Sequence, residues 1–231
     1  MNIDTEFSNQ AIHYNTYNII QNKVIQHLLK SVQTQPKNIL DLGCGNGSLC
    51  QQIEWDYEHF TGVDFAKGML ELHPKSAKIE CIYGDFNNQE LFHNLYTNKY
   101  DFIFSASALQ WAEDLERVFQ NIQAFKAPIA LAIFTSNTFK TLNSTAGINS
   151  LLKSSQEVKT LAQRYFDAKI EVLTYKLEFD STQEMFTYIK KSGVSGSRKI
   201  LSYKQTKALM KNYPTNYLEF EVIFITSFSK S

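Results

Sequence analysis

Apolar residues in this chain fall into short runs separated by stretches with helical spacing. Strand-like segments occupy residues 38–43, 60–65, 78–85, 100–108 and 129–135. Phe102-Ile103-Phe104 and residues 129–134 are apolar at successive positions, as in strands covered on both faces, which places them in the middle of a sheet. Strands that alternate with helical stretches require crossover connections, so the pattern predicts a parallel sheet flanked by helices. Ahead of the first strand, Ile19, Ile20, Val24, Ile25, Leu28 and Leu29 recur at helical spacing, and residues 19–32 are predicted to pack as a helix on that sheet.

The last third changes rhythm. Residues 170–179 read as a strand, 183–192 as a helix, then a glycine-bearing turn, 203–213 as a helix and 217–228 as a long strand. That order suits a closing hairpin whose last strand runs antiparallel to the parallel set, with the two helices inserted as a small lobe over the strand ends. Residues 137–164 hold no apolar run of their own and are expected to bridge the sheet to the lobe. A chain of 231 residues is long enough for one α/β domain with such a lobe and short for two independent domains. The prediction is a single domain built on a doubly wound, seven-stranded sheet. Residues 1–37 supply substrate-covering and packing helices, 38–136 the ligand-binding core, 137–216 the bridge and substrate lobe, and 217–231 the closing strand.

Charge and composition narrow the function classes. Lys and Arg total 23, Asp and Glu total 23, and no long basic run appears, so the electrostatic footprint of a nucleic-acid binder is missing. Cys44, Cys50 and Cys81 are an odd set without C-x-x-C spacing, which fits reduced thiols better than a disulfide frame or a zinc site. His13, His27, His59, His73 and His93 are scattered without metal-ligand spacing. No basic segment followed by an apolar stretch opens the chain, and no apolar run of about eighteen residues occurs, so a cytoplasmic, non-membrane protein is expected.

Residues 38–47 read N-I-L-D-L-G-C-G-N-G, an apolar strand running into Asp41 and then into Gly43, Gly45 and Gly47. A dinucleotide site needs G-x-G-x-x-G, and the position of its third glycine holds Ser48 here. The D-x-G-x-G-x-G spelling instead bares backbone for close approach of an amino-acid tail, which points to S-adenosylmethionine. Asp41 can face the ammonium of that tail, and the helix starting near Ser48 offers unpaired N–H groups to its carboxylate. Asp64 ends the second strand about twenty residues on, where a doubly wound fold brings a carboxylate against a ribose; Phe65 follows it. Asp85 and Phe86 end the third strand, suited to an adenine amino group and ring. Ser105, within the fourth strand-like segment, is the remaining cofactor-side candidate.

With these motifs, the chain resembles the class I S-adenosylmethionine-dependent methyltransferases over nearly its whole length. Residues 100–111, Y-D-F-I-F-S-A-S-A-L-Q-W, look like the "D-L-V-F-S-N-x-A-L-Q-W" segment of the malonyl-acyl-carrier-protein O-methyltransferases of biotin synthesis. Phe7, Ala11, Tyr14 and Gln21 are similar to that family's opening, with Asn15 where Asp is common. Lys191-Ser192-Gly193 and Arg198-Lys199-Ile200-Leu201-Ser202 resemble its lobe ending. Two departures stand out: residues 124–128, A-F-K-A-P, replace an "L-x-P-G-G" turn, and Ala106 replaces an Asn.

The resemblance implies a Rossmann-like fold and methyl transfer from S-adenosylmethionine, leaving S-adenosylhomocysteine. The acceptor it implies is the free carboxylate of a malonyl thioester, on acyl carrier protein or coenzyme A, giving a methyl ester that primes pimelate synthesis. Such a carboxylate is already ionised at pH 7, so no general base and no metal are sought. The protein must supply positioning and exclude water. Tyr14 and Gln110 are the candidate polar positioning groups, Trp111 an apolar wall, and Arg198 the two-point partner for the carboxylate. Lys190, Lys191, Lys199, Lys204 and Lys207 make the lobe basic, which suits an acidic carrier. The alternatives are a small-molecule carboxyl methyltransferase of the aconitate type and a non-catalytic cofactor-binding module.

Overall fold

The computed structural model describes residues 18–191 and 203–227, apart from the side chains at 190, 191, 203 and 204. The strands are β1 (Asn38–Leu42), β2 (His59–Asp64), β3 (Ile79–Tyr83), β4 (Phe102–Ala106), β5 (Ile129–Phe134), β6 (Lys169–Glu178) and β7 (Tyr217–Thr226). They form one sheet in the order β3-β2-β1-β4-β5-β7-β6. The first five are mutually parallel, and β7 runs antiparallel between β5 and β6. The chain winds outward from β1 to β3, then returns across β1 to β4, so the switch point lies between β1 and β4. That is where a sheet of this kind leaves a crevice at its carboxyl edge.

Alternation along the strands divides two cores. Ile39, Phe102, Phe104, Ala130 and Ala132 face one side, where α1 (Ile19–Ser31) lays down Ile20, Val24, Ile25 and Leu28. Leu40, Leu42, Ile103, Leu131 and Ile133 face the other, under α4 (Gln89–Leu95) and α5 (Leu115–Ala124). Between these lie α2 (Ser48–Gln52) and α3 (Lys67–Leu72). Strand β4, Phe102–Ala106, is shorter than the predicted run of 100–108. Asp101 stays outside β4 and accepts from the Lys37 and Asn38 N–H groups at 2.9 and 3.0 Å, clamping the start of β1.

The bridge expected at 137–164 contains two helices, α6 (Lys140–Ala146) and α7 (Ser155–Tyr165). Ser154 and Glu157 form a reciprocal capping box that nucleates α7. Val158, Leu161 and Ala162 give it a buried stripe, and that is enough because the second core supplies the opposing surface.

Ten register pairs join β6 to β7, whereas β5 meets only Val222 to Thr226, so residues 217–221 project past the carboxyl end of β5. The lobe sits on that projection. Its helices α8 (Thr182–Lys191) and α9 (Tyr203–Asn212) bring Met185, Tyr188 and Leu209 into one cluster with Phe179, Tyr213, Leu218 and Phe220. The antiparallel last strand and the lobe beside the ligand edge are as the sequence predicts.

Candidate active site

Gly43, Gly45 and Gly47 all have left-handed backbone, with φ of 78°, 54° and 79°, and each meets different surroundings. A Cβ on Gly43 would lie 2.1 Å from that of Ala108, and one on Gly47 would lie 2.5 Å from Pro74 Cδ. These two glycines let the loop close against its neighbours. Around Gly45 nothing lies within 4 Å of an added Cβ, so its backbone faces an open cradle. The Gly43 and Cys44 N–H groups both donate to the Val63 carbonyl, at 2.8 and 3.0 Å, which seats the loop on β2. Cys44 packs on Gly62, and burial pushes its thiol well above the ordinary range, so it fills space and is no nucleophile. Helix α2 has only five residues. Any anion at its start is therefore held by individual N–H groups more than by a summed dipole.

Beside the cradle, Asp41 is 1% exposed and its Oδ1 has no hydrogen-bond partner among the described residues. Burial, followed by the charge of Asp64, raises its pKa to about 8. A buried carboxyl left in that condition costs stability unless a cationic ligand group completes it. Asp64 is differently placed: Oδ2 accepts from the Gly45 N–H and Oδ1 from the Ala66 N–H, each at 2.8 Å. The carboxylate ties the glycine loop to β2, and a carboxylate at this strand end is of the chemistry that accepts from ligand hydroxyls. Asp85 is exposed and accepts from the Asn87 N–H at 2.8 Å. Phe86 is buried, its ring edge 3.8 Å from a Cβ placed on Gly43, while Phe65 is half-buried.

Ser105 departs from its expected role. It is fully buried, and its hydroxyl donates to the Leu42 carbonyl at 2.6 Å, bracing β4 against β1 beneath the glycine loop. Its side chain is scaffold, not a cofactor contact. Beyond it, Ser107 takes a left-handed φ of 64° and the chain enters a 3-10 turn at Leu109–Trp111. Gln110 and Trp111 are half-buried there. The Gln110 Nε2 donates to the Ser107 carbonyl at 2.6 Å, which leaves Oε1 buried and without a partner among the described residues. Tyr14 and Arg198 lie outside the described residues.

Three contributors escaped sequence reasoning. His73 and Pro74 close over Gly47, and Ala108 closes over Gly43; such contacts carry no local signature. The His73 Nδ1–H donates to the Pro74 carbonyl at 3.0 Å, and burial lowers its pKa. Among the described residues no group of three or more His, Cys, Asp or Glu is placed to hold a metal ion. No described helix is long and apolar enough to cross a membrane.

A family model described as a methyltransferase domain matches residues 39–128, the stretch from β1 almost to β5. The malonyl-[acyl-carrier protein] O-methyltransferase of Acetivibrio thermocellus is 27% identical, over 99% of this chain and 93% of its own length. The protein of the same name from Brevibacillus brevis is 24% identical, over 98% of this chain and 95% of its own. Among solved structures, phosphoethanolamine N-methyltransferase 2 of Haemonchus contortus, in complex with S-adenosylmethionine, superposes with a TM-score of 0.57 at 15% identity. That match covers 98% of this chain and 57% of the other, and it speaks for the fold.

Proposed function

We propose that this chain, a class I S-adenosylmethionine-dependent methyltransferase resembling the malonyl-acyl-carrier-protein O-methyltransferases, methylates the free carboxylate of a malonyl thioester. The observation that carries the acceptor assignment is likeness to those enzymes along almost the full length of both partners, lobe included. The product methyl ester masks a charge, which lets an enzyme that elongates apolar chains accept it as a primer for pimelate, the biotin precursor.

The residues present fit the cofactor. The unpartnered Asp41 Oδ1 suits its ammonium, the cradle at Gly45 admits its amino-acid backbone, and Asp64 at the end of β2 is the carboxylate for the ribose hydroxyls. Asp85 and Phe86 stand at the end of β3, where the adenine belongs. S-adenosylmethionine supplies a methyl on positively charged sulfur. The chain's own task is then to orient a carboxylate and dry it, since the nucleophile needs no proton removed at pH 7. In this reading Trp111, half-buried in the turn after β4, supplies the apolar wall.

In this reading Arg198 holds the malonyl carboxylate from the lobe and Tyr14 covers it from the N-terminal segment. The carrier is an acyl carrier protein, whose acidity matches the lobe's lysines, of which Lys207 is exposed on α9. The test is an acceptor panel with labelled S-adenosylmethionine: malonyl-carrier protein, malonyl-coenzyme A, free malonate and aconitate. Base-labile label on the carrier thioester at the highest kcat/KM supports the reading. Preference for aconitate, or cofactor binding with no transfer to any acceptor, overturns it.

A further inference from the structure

The turn after β4 contains a local conflict that the cofactor site does not explain. Ser107 is a non-glycine residue at φ 64°, and its Oγ is buried with no hydrogen-bond partner among the described residues. Left-handed backbone at a residue with a Cβ and a buried hydroxyl left unmatched both cost stability, and such costs concentrate where a structure serves a ligand. The conformation is enforced from two sides. The Ser107 N–H donates to the Ala132 carbonyl of β5 at 2.9 Å, and its carbonyl accepts from Gln110 Nε2 at 2.6 Å.

Those bonds decide which group here can meet an acceptor carboxylate. Gln110 spends its amide nitrogen bracing Ser107 and leaves an oxygen free, and an amide oxygen repels a carboxylate. Ser105 spends its hydroxyl on Leu42. From Ser105 to Gln110, the Ser107 hydroxyl is the buried side-chain donor with no bond made among the described residues. It also lies in the right place. Ala108, the next residue, packs on Gly43 of the cofactor loop, while Ala132 anchors Ser107 to β5, the strand beside which the lobe projects. With the nucleoside assigned to the ends of β2 and β3, the reacting end of the cofactor points towards β4 and β5.

We propose that the Ser107 hydroxyl donates a hydrogen bond to one oxygen of the acceptor carboxylate and thereby turns the other towards the methyl, with Gln110 as the positioning residue that holds Ser107 in its left-handed conformation. Ser107 keeps its proton throughout; it orients and does not transfer. The inference rests on the carboxyl-acceptor reading above.

Ser107→Ala and Ser107→Gly in the full chain test it together, because Ala removes the hydroxyl and keeps the strained Cβ while Gly removes both. Steady-state methylation of malonyl-carrier protein should show kcat lowered about ten- to hundred-fold in both variants, the worth of a hydrogen bond to a charged group. Affinity for S-adenosylhomocysteine by calorimetry should stay within about twofold, because the hydroxyl faces the acceptor. Three results overturn the proposal: kcat unchanged in both variants, activity recovered by Gly but not Ala, or cofactor affinity lost in step with kcat. A wild type that methylates no malonyl thioester overturns the underlying reading, and the Ser107 assignment falls with it; an active wild type with indifferent Ser107 variants sinks the Ser107 assignment alone.

Discussion

Asp41 should make cofactor binding release a proton. Its carboxyl is 1% exposed, Oδ1 has no partner among the described residues, and burial reinforced by the charge of Asp64 puts its pKa at about 8. Cys44 and Cys50 also stand in its field, and neither supplies positive charge. At pH 7 the free protein therefore holds Asp41 largely neutral, whereas pairing with a ligand ammonium requires the carboxylate. One unit between pH and pKa corresponds to about 1.4 kcal/mol, so ionisation should weaken apparent affinity at pH 7 by about tenfold relative to the fully ionised limit. Kd for S-adenosylhomocysteine should then rise about tenfold from pH 7 to pH 6 and level off near pH 8. Calorimetry at pH 7 in two buffers of different ionisation enthalpy should report close to one proton released per ligand. Asp41→Asn, which cannot ionise, should abolish both the slope and the release. The raised pKa also sets a stability trend in the free protein. The contribution of Asp41 is intact below about pH 4, its ordinary carboxyl range, and is lost as pH rises to about 8. Saturating ligand should offset that loss. A flat Kd between pH 6 and pH 8 with no proton release would refute the reasoning.

Asp64→Ala removes the acceptor for the Gly45 and Ala66 N–H groups as well as for ligand hydroxyls. It should weaken S-adenosylhomocysteine binding by about 1 to 3 kcal/mol, and calorimetry showing unchanged affinity in the folded variant would dismiss the assignment. Gly43→Ala places a Cβ 2.1 Å from Ala108 at a left-handed φ and should cost about 2 to 4 kcal/mol in denaturant unfolding. Gly45→Ala, with nothing within 4 Å, should cost about 1 kcal/mol, the backbone penalty alone, while losing cofactor affinity; equal unfolding midpoints for the two variants would contradict the division of labour in the loop.

The parts of the fold legible in the sequence were those written in local pattern. The unalternating runs Phe102-Ile103-Phe104 and Ile129–Phe134 marked the central strands, and three alternate glycines after Asp41 marked the loop. Helix α7 was missed because Val158, Leu161 and Ala162 make a sparse stripe among polar residues, and only the opposing core completes it. Its capping box, Ser154 with Glu157, was the available signal. In the candidate site, the motif pointed to Asp41 and Asp64, but how their surroundings differ could not be read from it. Which carboxyl keeps an oxygen without a partner among the described residues and which is held by backbone N–H groups depends on the loop's contact with β2. The tasks of Ser105 and Gln110 were hidden for the same reason, since their bonds to Leu42 and Ser107 are made by the folded turn.

The proposal that this chain methylates a malonyl carboxylate is met most directly by intact mass spectrometry of malonyl-carrier protein after incubation with the protein and S-adenosylmethionine. The account predicts the added mass of one methyl on the thioester-bound acyl group, removed by mild base, and no addition when the same carboxyl is already esterified. An unchanged mass despite demonstrated cofactor binding, or a base-stable methyl elsewhere on the carrier, would contradict it.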